Sequence, residues 1–426
     1  MCARRAPRDL ADPYGARWEP SAQANSVGDH KDRLMVIRRF LQSVSLIAFA
    51  ACGSCSQESA GAAGGGSGTE QDVEGEPTPG SEDVGSPDEA PRTKELAAAL
   101  AKTRTNAGIR SISAIAWRDG KIAAQAAVGI RDARTDAAAT PDSIYMIASC
   151  SKPVIGLALA LLIQDQPIDL DADINVWLKW EKPPRNPAFP DVPVTLRQLV
   201  THRSSIVADD DSEYATYARP DPDPSMDAYI LEQIPNPEMW EDFAPGTQEE
   251  YSNVATTLAA YVIEKAAKQP FSEFCQKRIF EPLGLTDTGW FFADFNEEQV
   301  ARMARPHDEA GKPLEHFGFA SWPSGQIRTT TADMAKLWMA IQARKAPFTE
   351  MLLADFEKVP FFIIADAEGG TFEHGGSEYG VGAYFIYDGS GNGYAFLTNH
   401  EIPEEDSDAL DVALGGVLAE ISGVKE

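Results

Sequence analysis

The stretch that most constrains the fold covers residues 143–154 and reads Ser-Ile-Tyr-Met-Ile-Ala-Ser-Cys-Ser-Lys-Pro-Val. It places Ser149 three residues before Lys152, at the start of a segment rich in leucine and isoleucine. Residues three apart on a helix lie on one face, one turn apart. The stretch therefore predicts a buried helix whose first turn holds a serine hydroxyl beside a lysine ammonium group.

The pair Ser149 and Lys152 can carry chemistry, although the spacing alone is a weak signal. A serine hydroxyl is a poor nucleophile until a neighbouring base takes its proton. A lysine can be that base, because burial beside other cations lowers a lysine pKa. A chain of ordinary composition contains roughly one or two S-x-x-K by chance. The alternative is therefore an N-capping serine with a solvated lysine, and other motifs must decide.

Composition and charge restrict the possible partners. The chain has 426 residues, of which 43% are hydrophobic, and this is enough for a large core. Its formal net charge of -28 argues against nucleic acid, whose phosphates need basic partners, and against electrostatic docking to anionic lipid. Of five cysteines, only Cys150 and Cys275 fall in the predicted globular part. We expect no dependence on disulfides.

The sequence pattern of the N-terminal part predicts that the protein is exported. Residues 1–34 are polar and are predicted to be an unstructured upstream extension, with translation starting at Met35. Residues 35–51 combine a basic start with an apolar run too short to span the roughly 30 Å hydrocarbon core of a bilayer. This pattern is typical of a signal peptide, with a short buried helix as the alternative. Small residues before Cys52 resemble a bacterial lipoprotein signal, which implies lipidation of Cys52 and a membrane-anchored protein of the cell envelope, facing the periplasm or the surface.

A tether is predicted after this signal. Residues 53–91 are rich in Gly, Ala, Ser, Pro and acidic residues and contain no Lys or Arg. Such a segment cannot bury enough apolar surface to become ordered. We predict a disordered acidic tether over residues 52–92 that holds the folded part about 35 Å from its anchor.

Residues 93–426 are predicted to form the folded domain, and its strands fall at both ends. Strands are predicted over 111–117, 122–128, 381–387 and 394–398, with an Asp-Gly hairpin turn between the first two. Helices are predicted over 94–102, 254–267 and 409–421, and residues 170–330 are expected to be mostly helical. The order predicts an α/β (α+β) fold, in which one sheet is built from both ends of the chain and carries a helical insertion.

A second motif is Tyr251-Ser252-Asn253, directly before the predicted helix 254–267. The Tyr251 phenol could carry protons, and the Asn253 amide could orient a substrate carbonyl or the lysine. Taken alone, this triplet is more often part of an exposed loop.

A third motif is His374-Gly375-Gly376, which leads towards the strand predicted at residue 381. Glycines beside a strand allow a ligand to approach the backbone, and their N–H groups could contribute to an oxyanion hole. Taken alone, the triplet could equally be the edge of a hairpin.

In this chain order, the three motifs resemble those of the serine hydrolase superfamily of penicillin-binding proteins and β-lactamases. The resemblance is strongest to its class C-like branch, which includes D-Ala-D-Ala peptidases and several esterases. That branch shows S-x-x-K, then Y-x-N, then K-T-G or H-x-G. Segments 194–205, 244–246, 279–286 and 397–399 are also similar to family phrases. The resemblance covers residues 95–422. It implies a β-lactamase/transpeptidase-like fold, with a central antiparallel sheet flanked by the terminal helices and a helical subdomain.

The resemblance also implies roles for these residues. Ser149 would attack a carbonyl and form an acyl-enzyme, while Lys152 and Tyr251 would share general-base and general-acid work. Asn253 would position the lysine and the substrate. The oxyanion hole would combine the Ser149 N–H with one from the strand just after His374-Gly375-Gly376, whose register the sequence leaves open.

Departures from the family pattern bear on the substrate. His374 replaces the Lys of β-lactamases and Gly375 the Thr, and a neutral imidazole binds a drug carboxylate without charge assistance. We expect an enzyme acting on ester or amide (D-Ala peptide-like) substrates, with weak β-lactam turnover. The alternatives are a genuine class C-like β-lactamase and a non-catalytic binder of envelope peptides. Arg203 and Ser205 replace Thr and Gly, which affects loop geometry, and Cys150 is interpreted as a small core residue.

The absence of two other motifs restricts the possible chemistry. The sequence contains no H-E-x-x-H, and its histidines do not have metal-ligand spacing, so we predict no metal and no cofactor. It has no G-x-S-x-G, which argues against the α/β-hydrolase route to ester hydrolysis. The expected partners are a small-molecule or peptide-like acyl substrate and a membrane reached through the lipid anchor, without nucleic acid.

Overall fold

The computed structural model describes residues 91–207, 221–348, 362, 364–365, 370–401 and 404–424. The predicted extension 1–34, the signal 35–51, the lipidation site Cys52 and most of the tether 52–92 lie outside the described residues.

The described residues form nine strands and eleven α-helices. The strands are β1 (Ser111–Arg118), β2 (Lys121–Asp132), β3 (Ala137–Ala138), β4 (Tyr145–Met146), β5 (Arg328–Thr329), β6 (Ile364–Ala365), β7 (Thr371–Glu378), β8 (Val381–Asp388) and β9 (Gly393–Thr398). The helices are α1 (Pro91–Asn106), α2 (Lys152–Asp165), α3 (Asn175–Leu178), α4 (Leu196–Val200), α5 (Asp227–Gln233), α6 (Asn253–Ala267), α7 (Phe271–Cys275), α8 (Glu281–Leu283), α9 (Glu297–Ala301), α10 (Thr331–Gln342) and α11 (Glu404–Ser422).

Seven strands form one antiparallel sheet in the order β3-β2-β1-β9-β8-β7-β6. The two ends of the chain meet where β1 pairs with β9, so the predicted joint sheet is confirmed. The predicted hairpin is also present, and Asp119 and Gly120 both have positive φ at its turn. A separate pair, β4 with β5, lies beside the candidate site.

Helices cover both faces of this sheet. Strand β1 is buried along both faces, with Ile112 packing in the cluster that contains Leu96 of α1 and Leu418 of α11. Alternate residues of a strand point to opposite faces, and Ile115 accordingly joins the larger cluster on the other side. There Trp338 of α10 stacks on Phe385 of β8 with 4.1 Å between ring centroids. The terminal helices therefore flank the sheet as expected.

The buried helix expected after the serine is α2, at the centre of the larger cluster. Of the described residues, the segment Ala148–Asp165 is long and apolar enough to cross a membrane by length and composition, but 78% of it is buried inside the protein. Its apolar character therefore reflects its place in the core.

The expectation that residues 170–330 are mostly helical was wrong in extent. In the described part of this region α6 has 15 residues and α5 has 7, while the other α-helices have five or fewer. A π-helical turn, Gln276–Phe280, joins α7 and α8 into one run, and irregular loops connect the other helices. Prolines interrupt this region repeatedly, for example at residues 183, 184, 187, 190 and 193. Since proline lacks an N–H and clashes with the preceding helical turn, these positions cannot continue a helix.

Candidate active site

Ser149 lies in a short 3-10 turn, Ala148–Ser151, between β4 and α2. Ala148 enters this turn with φ of +45°, a left-handed conformation that is unfavourable for a residue with a side chain. Neighbouring backbone holds the turn in place. The Ile147 N–H donates to the Ile327 carbonyl at 2.9 Å, and the Ile327 N–H donates to Ser151 Oγ at 3.1 Å. The nucleophile candidate therefore has a rigid, strained support.

Lys152 is the first residue of α2 and is fully buried. Its Nζ donates to Ser149 Oγ at 2.9 Å, so the contact predicted from the three-residue spacing is present. Nζ also donates to the Ser324 carbonyl at 2.8 Å. Sequence reasoning missed Ser324, because every residue has a backbone carbonyl and its use leaves no signature in the sequence. This carbonyl orients the ammonium group towards Ser149.

Tyr251 also contacts Ser149. Its phenol donates to Ser149 Oγ at 2.9 Å, and Lys152 Nζ lies 4.9 Å from the centre of its ring. The segment is fixed by the start of α6, where Ser252 Oγ accepts from the Ala255 N–H at 3.0 Å as an N-cap. Asn253 follows as the first residue of α6, with its Oδ1 buried. Three predicted residues thus meet at one oxygen, and Asn253 lies two residues after Tyr251 in the chain.

The third motif lies within a strand and not in a loop before one. His374, Gly375 and Gly376 belong to β7, and the turn to β8 comes later, at Gly380 with φ of +75°. The sequence places the motif before the strand predicted at residue 381 and does not predict β7 itself. Glycine has low intrinsic strand preference, but pairing with β8 over the whole length of β7 overrides it.

Gly376 brings β7 against the turn Ala148–Ser151 that contains Ser149. A Cβ atom at this position would overlap the Ile147 carbonyl and lie 3.1 Å from the Ser149 nitrogen. Only glycine allows this approach without a shift of one of the two segments. The structure therefore places the third motif beside the backbone N–H of Ser149, as the oxyanion-hole hypothesis requires.

His374 is a buried neutral imidazole beside Lys152. Its Nδ1 lies 2.5 Å from the Gly375 carbonyl and donates to it, because a carbonyl can only accept. Burial, and to a smaller degree the charge of Lys152, lower the pKa of His374 to about 4. The ring is therefore uncharged at neutral pH and offers a hydrogen bond but no permanent cation.

Cys150 is a core residue, as predicted. It is 1% exposed, and its thiol donates to the His374 carbonyl at 3.2 Å. Burial raises the pKa of this thiol, so it stays protonated and unreactive. This hydrogen bond links the turn Ala148–Ser151 to β7.

Two further observations concern residues near the site. Ser205 has φ of +58°, which explains why glycine is usual at this position of the family phrase. His202, from the same phrase, stacks on the Tyr251 ring with 4.4 Å between centroids, a contact that the sequence did not predict. Within the described ranges, no group of three or more His, Cys, Asp or Glu side chains is arranged to hold a metal ion.

Comparison with known proteins agrees with this geometry. The family model described as Beta-lactamase matches residues 96–417, which is most of the chain. The chain belongs to the β-lactamase family.

Named relatives of this family member span several activities. The esterase EstB of Burkholderia gladioli is 29% identical over 209 residues, which cover 47% of this chain and 51% of that protein. The chain spans about half the length of the curated relatives it matches. Among solved structures, the octameric penicillin-binding protein homologue from Pyrococcus abyssi gives a TM-score of 0.63 at 22% identity, covering 78% of this chain and 77% of that one. D-amino acid amidase from Ochrobactrum anthropi SV3 gives 0.60 at 21% identity, covering 78% and 98%. At these identities the two structures establish a shared fold.

Proposed function

We propose that this β-lactamase family protein is a serine hydrolase that works through an acyl-enzyme on Ser149. The observation that carries the proposal is the convergence on one hydroxyl. Ser149 Oγ lies 2.9 Å from both Lys152 Nζ and Tyr251 OH. Two groups that can each exchange a proton therefore contact the proposed nucleophile, which is the arrangement that activates a serine.

In the proposed reaction, Lys152 as the free amine or Tyr251 as the phenolate takes the proton of Ser149 as Oγ forms a bond to the acyl carbon. The tetrahedral intermediate then collapses, the bond to the leaving alcohol or amine breaks, and the same proton is delivered to that leaving group. Water hydrolyses the acyl-enzyme by the same steps in reverse. The Ser324 carbonyl holds one hydrogen of the lysine throughout, so Nζ keeps its direction.

The developing oxyanion needs donors that are already in place. We assign one to the Ser149 N–H and the second to the β7 backbone directly after Gly376, at Ser377. The close approach of Gly376 to the Ser149 nitrogen supports this assignment. Asn253, at the start of α6, is assigned to orient the lysine and the substrate.

For the substrate we propose an ester or an amide of D-Ala peptide type, with weak turnover of β-lactams. A neutral His374 supports this, since it offers no charge to the carboxylate of a penicillin or cephalosporin. Relatives named as an esterase and an amidase are compatible with the same preference.

Labelling with a fluorescent fluorophosphonate tests the nucleophile. Ser149→Ala should abolish labelling and hydrolysis of short p-nitrophenyl esters, whereas Ser390→Ala, in an exposed turn, should retain both. Lys152→Ala and Tyr251→Phe should each lower the rate on the order of 10²-fold or more. Full labelling of Ser149→Ala would place the nucleophile elsewhere. An unlabelled wild-type protein that still binds envelope peptide would favour the non-catalytic alternative.

Substrate preference is tested by comparing kcat/KM for an ester, a D-alanyl amide and a cephalosporin. We expect the cephalosporin to be the poorest substrate, and His374→Lys to improve carboxylate-bearing substrates relative to neutral ones. A cephalosporin kcat/KM of about 10⁶ M⁻¹s⁻¹ for the unmodified protein, within the usual enzyme range, would make it a class C-like β-lactamase.

We also propose that the protein is anchored in the cell envelope by a lipid on Cys52. Support comes from the signal pattern before this residue and the acidic, glycine-rich segment after it. Cys52→Ala should release soluble protein and abolish incorporation of labelled palmitate, while Cys55→Ala, three residues away, should change neither. A Cys52→Ala protein that is still labelled and membrane-bound would refute the anchor.

A further inference from the structure

A single loop residue, His202, contacts three consecutive residues of the segment that carries Tyr251. Its backbone carbonyl accepts from the Glu250 N–H at 2.7 Å. Its imidazole stacks on the Tyr251 ring, with 4.4 Å between centroids and 30° between planes. Its Nδ1 accepts from the Ser252 N–H at 3.3 Å. Backbone before the tyrosine, the tyrosine ring and backbone after it are therefore all held by one residue.

The conformation of His202 is itself fixed. It follows α4 with φ of +54°, in the left-handed region that histidine, asparagine and aspartate enter more readily than other residues with side chains. Its own N–H donates to the Leu199 carbonyl at 3.2 Å, which closes the turn. The imidazole also makes a T-shaped contact with the Phe362 ring, with 5.1 Å between centroids. The imidazole therefore contacts two aromatic rings.

This arrangement requires an uncharged ring. Because Nδ1 accepts a hydrogen bond, the neutral imidazole carries its proton on Nε2, whose atom is buried. A protonated imidazole would turn an N–H towards the Ser252 N–H and lose this contact. Burial, then the charges of Lys152 and His374, lower the pKa of His202 well below its usual value. The ring therefore stays neutral at physiological pH.

We propose that His202 is a positioning residue, which holds the Tyr251 phenol at its 2.9 Å contact with Ser149 Oγ. The inference rests on the proposed role of Tyr251 as a proton carrier. A free tyrosine side chain rotates about two bonds, and misplacement of a reacting group by about 1 Å can lower a rate about 10²-fold. His202 acts by removing that freedom without contacting the substrate.

A double-mutant cycle on the full chain tests the proposal. The variant is His202→Asn, since asparagine tolerates the left-handed conformation and keeps the loop. In the wild-type background we expect the rate constant for acylation by the fluorophosphonate to fall roughly 10- to 100-fold. In the Tyr251→Phe background, which lacks the hydroxyl to be positioned, the same change should cost less than about twofold. Equal losses in both backgrounds would show a general structural effect and overturn the proposal.

The matched control is Arg203→Gln, the next residue, whose side chain reaches out towards Glu249 at the surface. This change should leave acylation within about twofold in both backgrounds. A loss as large as that of His202→Asn would show that any change in this loop disturbs the site, and the proposal would fall.

A second measurement needs no catalysis, so it separates failure of this inference from failure of the proposed function. With 3-fluorotyrosine at position 251, ¹⁹F NMR should show one sharp resonance for Tyr251 in the otherwise unchanged chain. In His202→Asn the resonance should broaden or split, because the ring is no longer held in one rotamer. A single sharp resonance in both proteins would overturn the positioning role, even if the enzyme proved inert towards the ester and fluorophosphonate probes.

Discussion

Lowering the pH from 7 to 4 should destabilise the folded chain by about 3 kcal/mol through protonation of the buried His374 side chain. The side chain is 4% exposed, and its pKa is lowered from 6.5 to about 4, chiefly by burial. Because the folded pKa lies below the unfolded one, the unfolded chain binds the proton first as the pH falls. The contribution is complete above pH 6.5 and is lost as the pH falls towards 4.

The size of this destabilisation follows from the difference between the unfolded pKa of 6.5 and the folded pKa of about 4. Each pKa unit corresponds to about 1.4 kcal/mol, so the loss attributable to His374 is about 2 kcal/mol at pH 5 and about 3 kcal/mol at pH 4. The pKa values of four other histidines are lowered as well, namely those of His202, His307, His316 and His400. The total acid sensitivity will therefore exceed this amount, and a matched variant must isolate the His374 part.

The variant is His374→Asn, whose amide can donate to the Gly375 carbonyl as Nδ1 does but does not titrate in this range. The free energy of unfolding is measured by urea denaturation of both proteins at pH 7, 6, 5 and 4. We expect the variant to be less stable than wild type at pH 7 and to gain on it by about 3 kcal/mol by pH 4. A stability difference that stays constant across this range would refute the conclusion that burial keeps His374 neutral.

Two further predictions use local geometry. Ser205→Gly should be about 1 kcal/mol more stable than Ser205→Ala by urea denaturation, because both lose the hydroxyl and only alanine keeps the left-handed strain; equal stabilities would contradict it. Gly376→Ala should lower the acylation rate at least tenfold and the stability by about 1–3 kcal/mol, since its Cβ would overlap the Ile147 carbonyl. Gly389→Ala, where a Cβ meets open space, is the control, and similar losses in the two glycine variants would show that close approach is not the cause.

Local chemistry was sufficient for much of the fold and for half of the site. The contact between Ser149 and Lys152 follows from their three-residue spacing, because helical geometry alone brings such side chains together. The hairpin at Asp119-Gly120 follows from the turn preferences of those two residues. The predicted helices are also present, although their ends differ, with α1 running from Pro91 to Asn106 and α11 from Glu404 to Ser422. Helix ends depend on capping contacts that a periodic pattern does not specify.

The family motifs and phrases made it possible to predict that residues far apart in the chain share one site. Tyr251 lies 102 residues after Ser149, and no spacing rule connects them. Only the motif order placed both in one site before the structure was known. The same phrases contained His202, but their similarity assigned it no role, because a stacking partner is defined by three-dimensional contact.

Tertiary structure alone decided the features that depend on backbone and pairing. Lys152 donates to the backbone carbonyl of Ser324. Every residue has such a carbonyl, so the serine side chain does not indicate this contact in the sequence. The strand β7 contains Gly375 and Gly376 despite the poor strand preference of glycine, because hydrogen bonding to β8 outweighs local propensity. Gly376 lets β7 approach Ser149 because it has no Cβ atom. The sequence does not show this role, because the close approach exists only once the two segments have folded against each other.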